Sequence, residues 1–247
     1  MLNYIFLGII QGFTEFLPVS SSGHLVLAQH LMGISKDVVA LDVILHLGTV
    51  FALVIFFFKD ILNLLRDKKT LFLLFLVTTI TGLIGISGKK FFEDLFTSPK
   101  AVGIALIFTG IVLLITKKFK KGEKPALTVK DGLILGVTQG LAIVPGISRS
   151  GMTVSTLIFR KISRQECFRF SFLAAIPVIL AAALLEVKHI DSAIHNNFND
   201  LLAGFLASMI CGLIALPLLR LILRKDKLYY FGYYCIIVAV LSLVFIK

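Results

Sequence analysis

The chain has 247 residues, 57% apolar and only 16% charged, with a mean hydropathy of +0.97. Soluble domains carry about 45–50% apolar and about 25% charged residues, so a soluble α/β enzyme, a disordered chain and a disulfide-rich secreted protein are excluded, and an all-α integral membrane protein is expected. The net charge of +11 does not point to nucleic acid: the basic residues cluster between apolar stretches, as the positive-inside rule places them in cytoplasmic loops.

Residues 2–33 are apolar but break at Pro18-Val19-Ser20-Ser21-Ser22-Gly23. Met1 to Leu17 has no basic n-region and no small-residue cleavage site, so it reads as a structural segment rather than a removable signal peptide. Three spans follow, Leu41–Phe58, Leu71–Ser87 and Ala101–Thr116, near the length of about 20 residues that a bilayer needs. Residues 132–160 are interrupted again, at Pro145-Gly146-Ile147-Ser148-Arg149-Ser150-Gly151, before the spans Phe170–Leu185, Leu201–Leu223 and Tyr229–Ile246. Pro, Gly and clustered Ser stop helices. Irregular backbone at membrane depth survives only inside protein or around water, so both interrupted regions are predicted to be re-entrant helical hairpins. Gly82, Gly85 and Gly88 read as helix-packing positions. Cys167, Cys211 and Cys235 have no metal-ligand spacing and read as small core residues.

The two interrupted regions resemble each other. Gly8-Ile9-Ile10-Gln11-Gly12 aligns with Gly136-Val137-Thr138-Gln139-Gly140, and Ser22-Gly23 with Ser150-Gly151, at an offset of 128; matching Pro18 to Pro145 needs one gap. The expected architecture is one membrane domain, residues 1–247, made of two inverted-topology repeats (about 1–118 and 130–247). Each is a re-entrant hairpin plus three transmembrane helices, giving six full spans and four half-helices. With the 59–69 loop inside, 117–130, 158–169 and 220–227 also fall inside and hold 18 of the 25 Lys and Arg, against 6 outside. Both termini are then outside, and the polar hairpin tips can meet near mid-membrane.

Ionisable residues within apolar segments are costly and are functional candidates by default. Gln11 and Glu15, four apart, share a helix face, and Ser21 and His24 share a face of the next short helix. One tip thus gathers a carboxylate, hydroxyls and an imidazole, and the other gathers Arg149 with Ser148, Ser150 and Thr153. A guanidinium fork matches phosphate oxygens, and a helix start adds N–H donors. Ser, His and Glu opposite it supply a nucleophile, a base and an orienting carboxylate, which together suggest phosphoryl chemistry on a lipid. Glu15 with Arg149 also suits a purely structural ion pair, and His24 a bond to a carbonyl. His30 and Asp42, near segment ends, read as interfacial. His46 suits a packing hydrogen bond or a supporting role equally.

The run from Gln11 through Glu15, Pro18 and Ser20-Ser21-Ser22-Gly23 to His24 resembles the first signature of the bacterial undecaprenyl-diphosphatase family, which is linked to bacitracin resistance. Pro145 through Arg149 to Thr153 resembles its second signature, and Leu45-His46-Leu47-Gly48-Thr49 and the chain length also fit. The resemblance implies hydrolysis of undecaprenyl diphosphate to the monophosphate and inorganic phosphate with a divalent cation, Mg²⁺ or Ca²⁺. This recycles the carrier lipid for peptidoglycan and other envelope polymers at the bacterial plasma membrane, from a site opening to the outer face. It assigns Glu15 to the metal, Ser21 as nucleophile, His24 as the essential imidazole and Arg149 as diphosphate clamp, with Ser20, Ser148, Ser150 and Thr153 lining the phosphate cradle and Gln11 and Ser22 also binding substrate. The family's first motif often carries a second acid where this chain has Gln11, and an amide binds hard cations less strongly than a carboxylate. The expected mechanism is attack by Ser21 with His24 as base; His24 itself and water stay open as nucleophiles. A transporter or flippase of a phosphorylated lipid or anion is the alternative on the same inverted-repeat plan. The expected partners are the bilayer and the polyprenyl diphosphate, with no nucleic acid; a second copy of the chain is admissible.

Overall fold

The computed structural model describes residues 1–34, 38–64, 66–119 and 122–246, and only the backbone of 187–196. Among the described residues the chain is helical without a strand, apart from one isolated bridge between Lys124 and Ile162. In chain order the helices are α1 (Leu2–Phe16), α2 (Ser21–Leu31), α3 (Val38–Phe56), α4 (Phe58–Leu64), α5 (Lys68–Ser87), α6 (Lys89–Phe96) and α7 (Pro99–Ile115). They continue with α8 (Val129–Leu141), α9 (Arg149–Phe159), α10 (Arg164–Leu173), α11 (Ala175–Leu185), α12 (Val187–Arg224) and α13 (Tyr230–Phe245).

Among the described residues, five stretches are long and apolar enough to cross a membrane: Val38–Phe56, Lys68–Ser87, Pro99–Lys118, Arg164–Leu185 and Asn197–Arg224. Between 28% and 44% of their apolar windows is buried within the chain, so most of that apolar surface faces outward, as lipid requires and water forbids. The last apolar helix, α13, has 16 residues, fewer than these five. The division between α10 and α11 follows from Pro177, which offers no N–H to the Leu173 carbonyl four residues back. Asn197 interrupts α12 with non-helical angles.

Both interrupted regions are hairpins of short helices, with breaks a few residues earlier than the sequence suggested. Leu17, held extended ahead of Pro18, ends α1. Helix α2 starts at Ser21 because Ser20 caps it, its Oγ accepting from Gly23 N at 3.3 Å. In the second hairpin Ser148 caps α9 in the same way, accepting from Gly151 N at 3.1 Å. The serines expected inside the breaks are therefore cap and first-turn residues. The outer ends of each hairpin lie together. Tyr4 and Leu7 share a cluster with Leu25 and Met32, and Arg160 Nε donates to Asp131 Oδ1 at 2.6 Å.

The first leg of each hairpin packs on a helix of the other half, α1 on α12 and α8 on α5. Small residues permit this. A Cβ on Gly12 would lie 2.5 Å from the Ser208 carbonyl oxygen and 2.6 Å from Cys211 Cβ, and one on Gly8 would meet the Gly204 carbonyl. On the other side Gly136 and Gly140 face Ile80 and Ile84. Gly12→Val should therefore force α1 off α12, destabilising the protein by about 1–3 kcal/mol or more as overpacking does; thermal unfolding in detergent measures it. Of the glycines expected to pack helices, Gly85 meets Ile143 and Gly88 meets Phe92 of the adjoining α6, but Gly82 has open space beside it. Cys167 and Cys235 are buried, as core residues should be, and Cys211 is partly so.

The basic loops gather at one end of the bundle. Arg169 Nε donates to Asp60 at 2.7 Å, while Arg164 donates to Asp226 at 2.7 Å and to the Phe119 carbonyl at 3.0 Å. At that end Asp67 caps α5, and two hydrogen bonds from Thr70 hold its carboxyl below the usual carboxylate range. At other connections, Met1 pairs with Asp200 at 2.7 Å, and Lys89 with Glu186 at 3.4 Å.

Candidate active site

The two hairpin tips dock directly on each other. Gly146 N donates to Ser20 Oγ at 3.0 Å, and Ser150 Oγ donates to the Leu17 carbonyl at 3.2 Å. Thr109 of α7 braces the second tip: its hydroxyl donates to the Gly146 carbonyl at 2.8 Å and accepts from Ser148 N at 3.0 Å. Ser20 holds a left-handed φ of 70°, a conformation that costs a non-glycine residue about 1–3 kcal/mol. Its two cross-links, to Gly23 and Gly146, keep it there. Gly146, at φ +96°, has no room for a side chain, since a Cβ would lie 2.5 Å from the Val102 carbonyl oxygen.

At this junction Arg149 Nη2 donates to Glu15 Oε1. Both are well buried, with side-chain exposures of 15% and 5%. The other carboxylate oxygen, Oε2, accepts from Ser21 Oγ at 2.5 Å and from Gln11 Nε2 at 3.1 Å, and His46 Nε2 lies 3.5 Å away. Two polar atoms here lack a hydrogen-bond partner: Gln11 Oε1, whose amide group is turned to the carboxylate, and Arg149 Nη1. Helices α2 and α9 both start at the junction, and their N-termini favour an anion.

A cavity of about 880 Å³ opens above this centre. Glu15, Ser20, Ser21, Ser22 and Arg149 line its polar part, and most of its wall is apolar, including Val39, Ile143 and Ile179. It extends past His30 and Asp42 to Glu93, Phe96 and Glu186, near the α5–α6 and α11–α12 connections rather than the basic loops. A few precisely placed polar groups in an apolar cleft are what a ligand with a small charged head and a long apolar body needs.

Of the expected site residues, Gln11, Glu15, Ser21 and Arg149 converge, which the spacing within each tip could not by itself guarantee. Ser20 and Ser22 line the cavity, their hydroxyls 3.4 Å apart. Ser148, Ser150 and Thr153 lie behind the wall. Ser148 caps α9 and bonds Ser150 at 3.2 Å, while Thr153 Oγ1 donates to the Arg149 carbonyl at 2.9 Å, so these hydroxyls are engaged around the first turn of α9.

The expected Ser21–His24 pair is not formed. His24 Nδ1 donates to the Ser20 carbonyl at 2.8 Å, its Nε2 faces Tyr234 Oη at 2.9 Å, and the ring stacks on Tyr234. Three residues along α2 did not suffice to keep the two side chains together. Ser21, at the first position of the helix, turns to Glu15, while His24 turns to α13. The imidazole at the carboxylate is instead that of His46. Its Nδ1 donates to the Asp42 carbonyl at 2.7 Å, and Gln29 Nε2 donates to Asp42 Oδ1 at 2.6 Å. His30 and Asp42, expected at an interface, both line the cavity. Asp42 and His46, four apart, already shared a face of α3 in the sequence, whereas Tyr234, 210 positions from His24, left no local signal.

The family described as "Bacitracin resistance protein BacA" matches residues 4–241. The chain is 43% identical to an undecaprenyl-diphosphatase of Halothermothrix orenii over 252 residues, covering 99% of this chain and 97% of that protein. It is also 43% identical to one of Carboxydothermus hydrogenoformans, over 97% and 95% of the two chains, and 36% identical to one of Methanosphaera stadtmanae, over 99% and 97%. With a match that runs through both hairpins and every long apolar helix, the chain belongs to the BacA bacitracin resistance family.

Proposed function

We propose that this protein hydrolyses undecaprenyl diphosphate to undecaprenyl phosphate and inorganic phosphate, returning the carrier lipid to envelope synthesis. The observation that carries this is the set of hydrogen bonds from Ser21 and Arg149 to one buried carboxylate, Glu15, at the floor of a largely apolar cavity. Relatives named undecaprenyl-diphosphatase, aligned over nearly the whole chain, support it.

The apolar wall receives the first isoprenes, and the diphosphate meets Arg149, whose Nη1 is still without an acceptor, and the starts of α2 and α9. Preorganised donors at the phosphoryl oxygens usually lower the barrier more than any other effect in such catalysis. Ser21 Oγ attacks the terminal phosphorus as its proton passes to Glu15 Oε2, already its hydrogen-bond partner. The Oγ–P bond forms, the bridging P–O bond breaks, and the proton goes on to the departing lipid phosphate. Water then attacks the phosphoserine; Glu15 takes the water's proton and returns it to Oγ as phosphate leaves. His24 acts through Ser20, whose carbonyl it holds in the left-handed turn between the hairpin legs.

Oxygen donors for Mg²⁺ or Ca²⁺ are present in the Glu15 carboxylate and the unpartnered Gln11 Oε1. Among the described residues no group of three or more His, Cys, Asp or Glu is placed to hold a metal ion, so a cation here would need substrate phosphates and water for its remaining ligands. When bound, it would neutralise phosphoryl charge as a Lewis acid.

On the same reading both hairpins are re-entrant segments among six spans, in repeats of about 1–118 and 130–247. Supporting it are the reciprocal packing of α1 on α12 and α8 on α5 and the 13 and 15 residues of the first legs, about 20–22 Å at 1.5 Å per residue, too short for a hydrocarbon core of about 30 Å. Helix α13 is a short span whose start carries Tyr229, Tyr230 and Tyr233, suited to an interface. With the basic loops inside, the cavity opens to the outer face. The test is phosphate release from undecaprenyl diphosphate by purified protein in detergent, where no gradient exists. Release that depends on Mg²⁺ or Ca²⁺ is expected; binding of the lipid without release would favour a carrier.

A further inference from the structure

His46 has no part in the hydrolysis scheme, yet its imidazole stands beside the Glu15 carboxylate. A carbonyl oxygen only accepts, so Nδ1 carries a proton toward Asp42 O at 2.7 Å, and Nε2 is the ring atom that faces Glu15. That nitrogen stands 3.5 Å from Glu15 Oε2, longer than a good N–H···O bond of about 2.7–3.2 Å, and a cation held by both would draw them in to the separation of about 3 Å between neighbouring ligands of one octahedral ion. An imidazole whose other nitrogen is tied to a backbone carbonyl is the usual form of a metal-ligating histidine. A second observation lies beside it: Gln11 is fully buried, its amide group is spent on Glu15, and its Oε1 has no donor. His46 and Glu15 both line the cavity.

We propose that His46 Nε2 is a ligand of the divalent cation, forming with Glu15 a mixed nitrogen–oxygen half-site that diphosphate oxygens and water complete. It rests on the cation-assisted hydrolysis proposed for this site. Imidazole favours transition-metal dications, whereas carboxylate and water alone suit Mg²⁺ and Ca²⁺, so this chain should take Mn²⁺ or Co²⁺ more readily than a site built only of oxygen.

The test uses full-length protein in detergent with Mn²⁺ and methylenediphosphonate, a diphosphate that cannot be hydrolysed. Pulsed electron paramagnetic resonance should show nitrogen-14 coupling to bound Mn²⁺, replaced by the nitrogen-15 pattern after labelling with 15N-histidine, which needs no substitution. His46→Gln should abolish the coupling and weaken Mn²⁺ binding by about tenfold or more, the scale on which shell changes act, and should shift preference toward Mg²⁺ and Ca²⁺. Coupling that persists in His46→Gln, its absence in the unsubstituted protein, or Mn²⁺ affinity unchanged by the substitution would each overturn the assignment. Phosphate release is scored separately. Nitrogen coupling without release of phosphate from undecaprenyl diphosphate refutes the hydrolase and leaves the cation site standing, whereas release without coupling refutes the His46 ligand alone.

Discussion

Arg149→Ala is expected to lower phosphate release from undecaprenyl diphosphate by about 10³-fold or more, the scale on which an arginine at a transferring phosphoryl group acts. Two losses combine. The substrate loses the fork that matches its oxygens, and Glu15, with 5% of its side chain exposed, loses its guanidinium partner. Breaking a buried pair from one side costs about 3–5 kcal/mol because the remaining charge is left uncompensated. Activity and unfolding in detergent therefore need to be measured together. Arg149→Lys keeps the charge but not the fork and should recover stability more than rate. If the pair were only structural, the double variant Glu15→Gln with Arg149→Met would restore stability and activity alike; recovery of stability alone is expected. Release at the unsubstituted rate by Arg149→Ala would sink the mechanism.

Ser21→Ala should be as severe, about 10³-fold or more, as for loss of a covalent nucleophile elsewhere, yet with little change in stability, since Ser21 is half-buried and makes one side-chain hydrogen bond. Ser22→Ala, one residue on and outside the Glu15 network, should stay within about tenfold. The decisive measurement is transfer of labelled terminal phosphate to the protein: acid-stable label on Ser21 in a quenched reaction is expected, and none in Ser21→Ala. If Ser21→Ala keeps most of its activity, the attacking group is water or an imidazole, and Glu15 serves as its base.

The helices were legible because lipid and water demand opposite surfaces. The expected spans Leu41–Phe58 and Leu201–Leu223 appear as Val38–Phe56 and Asn197–Arg224. The hairpins were legible because Pro18 and Gly146 leave little choice of backbone, and the pairing of their tips followed from the offset between Gly8 and Gly136. Less could be read of what each side chain faces. Helical spacing reports which residues share a stripe but not the neighbour that meets it, and at the first turn of a helix even the stripe is unreliable. Ser21 and His24 parted for that reason, and Ser148, Ser150 and Thr153 turned into the scaffold around Arg149. His46 suits packing and support equally in the sequence because nothing in Leu45-His46-Leu47 records that Glu15 lies opposite.

The glycine contacts of α1 have a consequence for biosynthesis. Gly8 and Gly12 need the surface offered by Gly204, Ser208 and Cys211, which the ribosome supplies about 200 residues later, some 10–40 s at about 5–20 residues per second. Until then the first hairpin has neither its seat nor the arginine that neutralises Glu15, which comes with the second hairpin. The polar first tip must wait at the membrane with partners other than its own until Arg149 has been made, and its seat on α12 comes later still. The pairing of Glu15 with Arg149, on a hairpin seated against α12, is therefore a late event in the making of this chain.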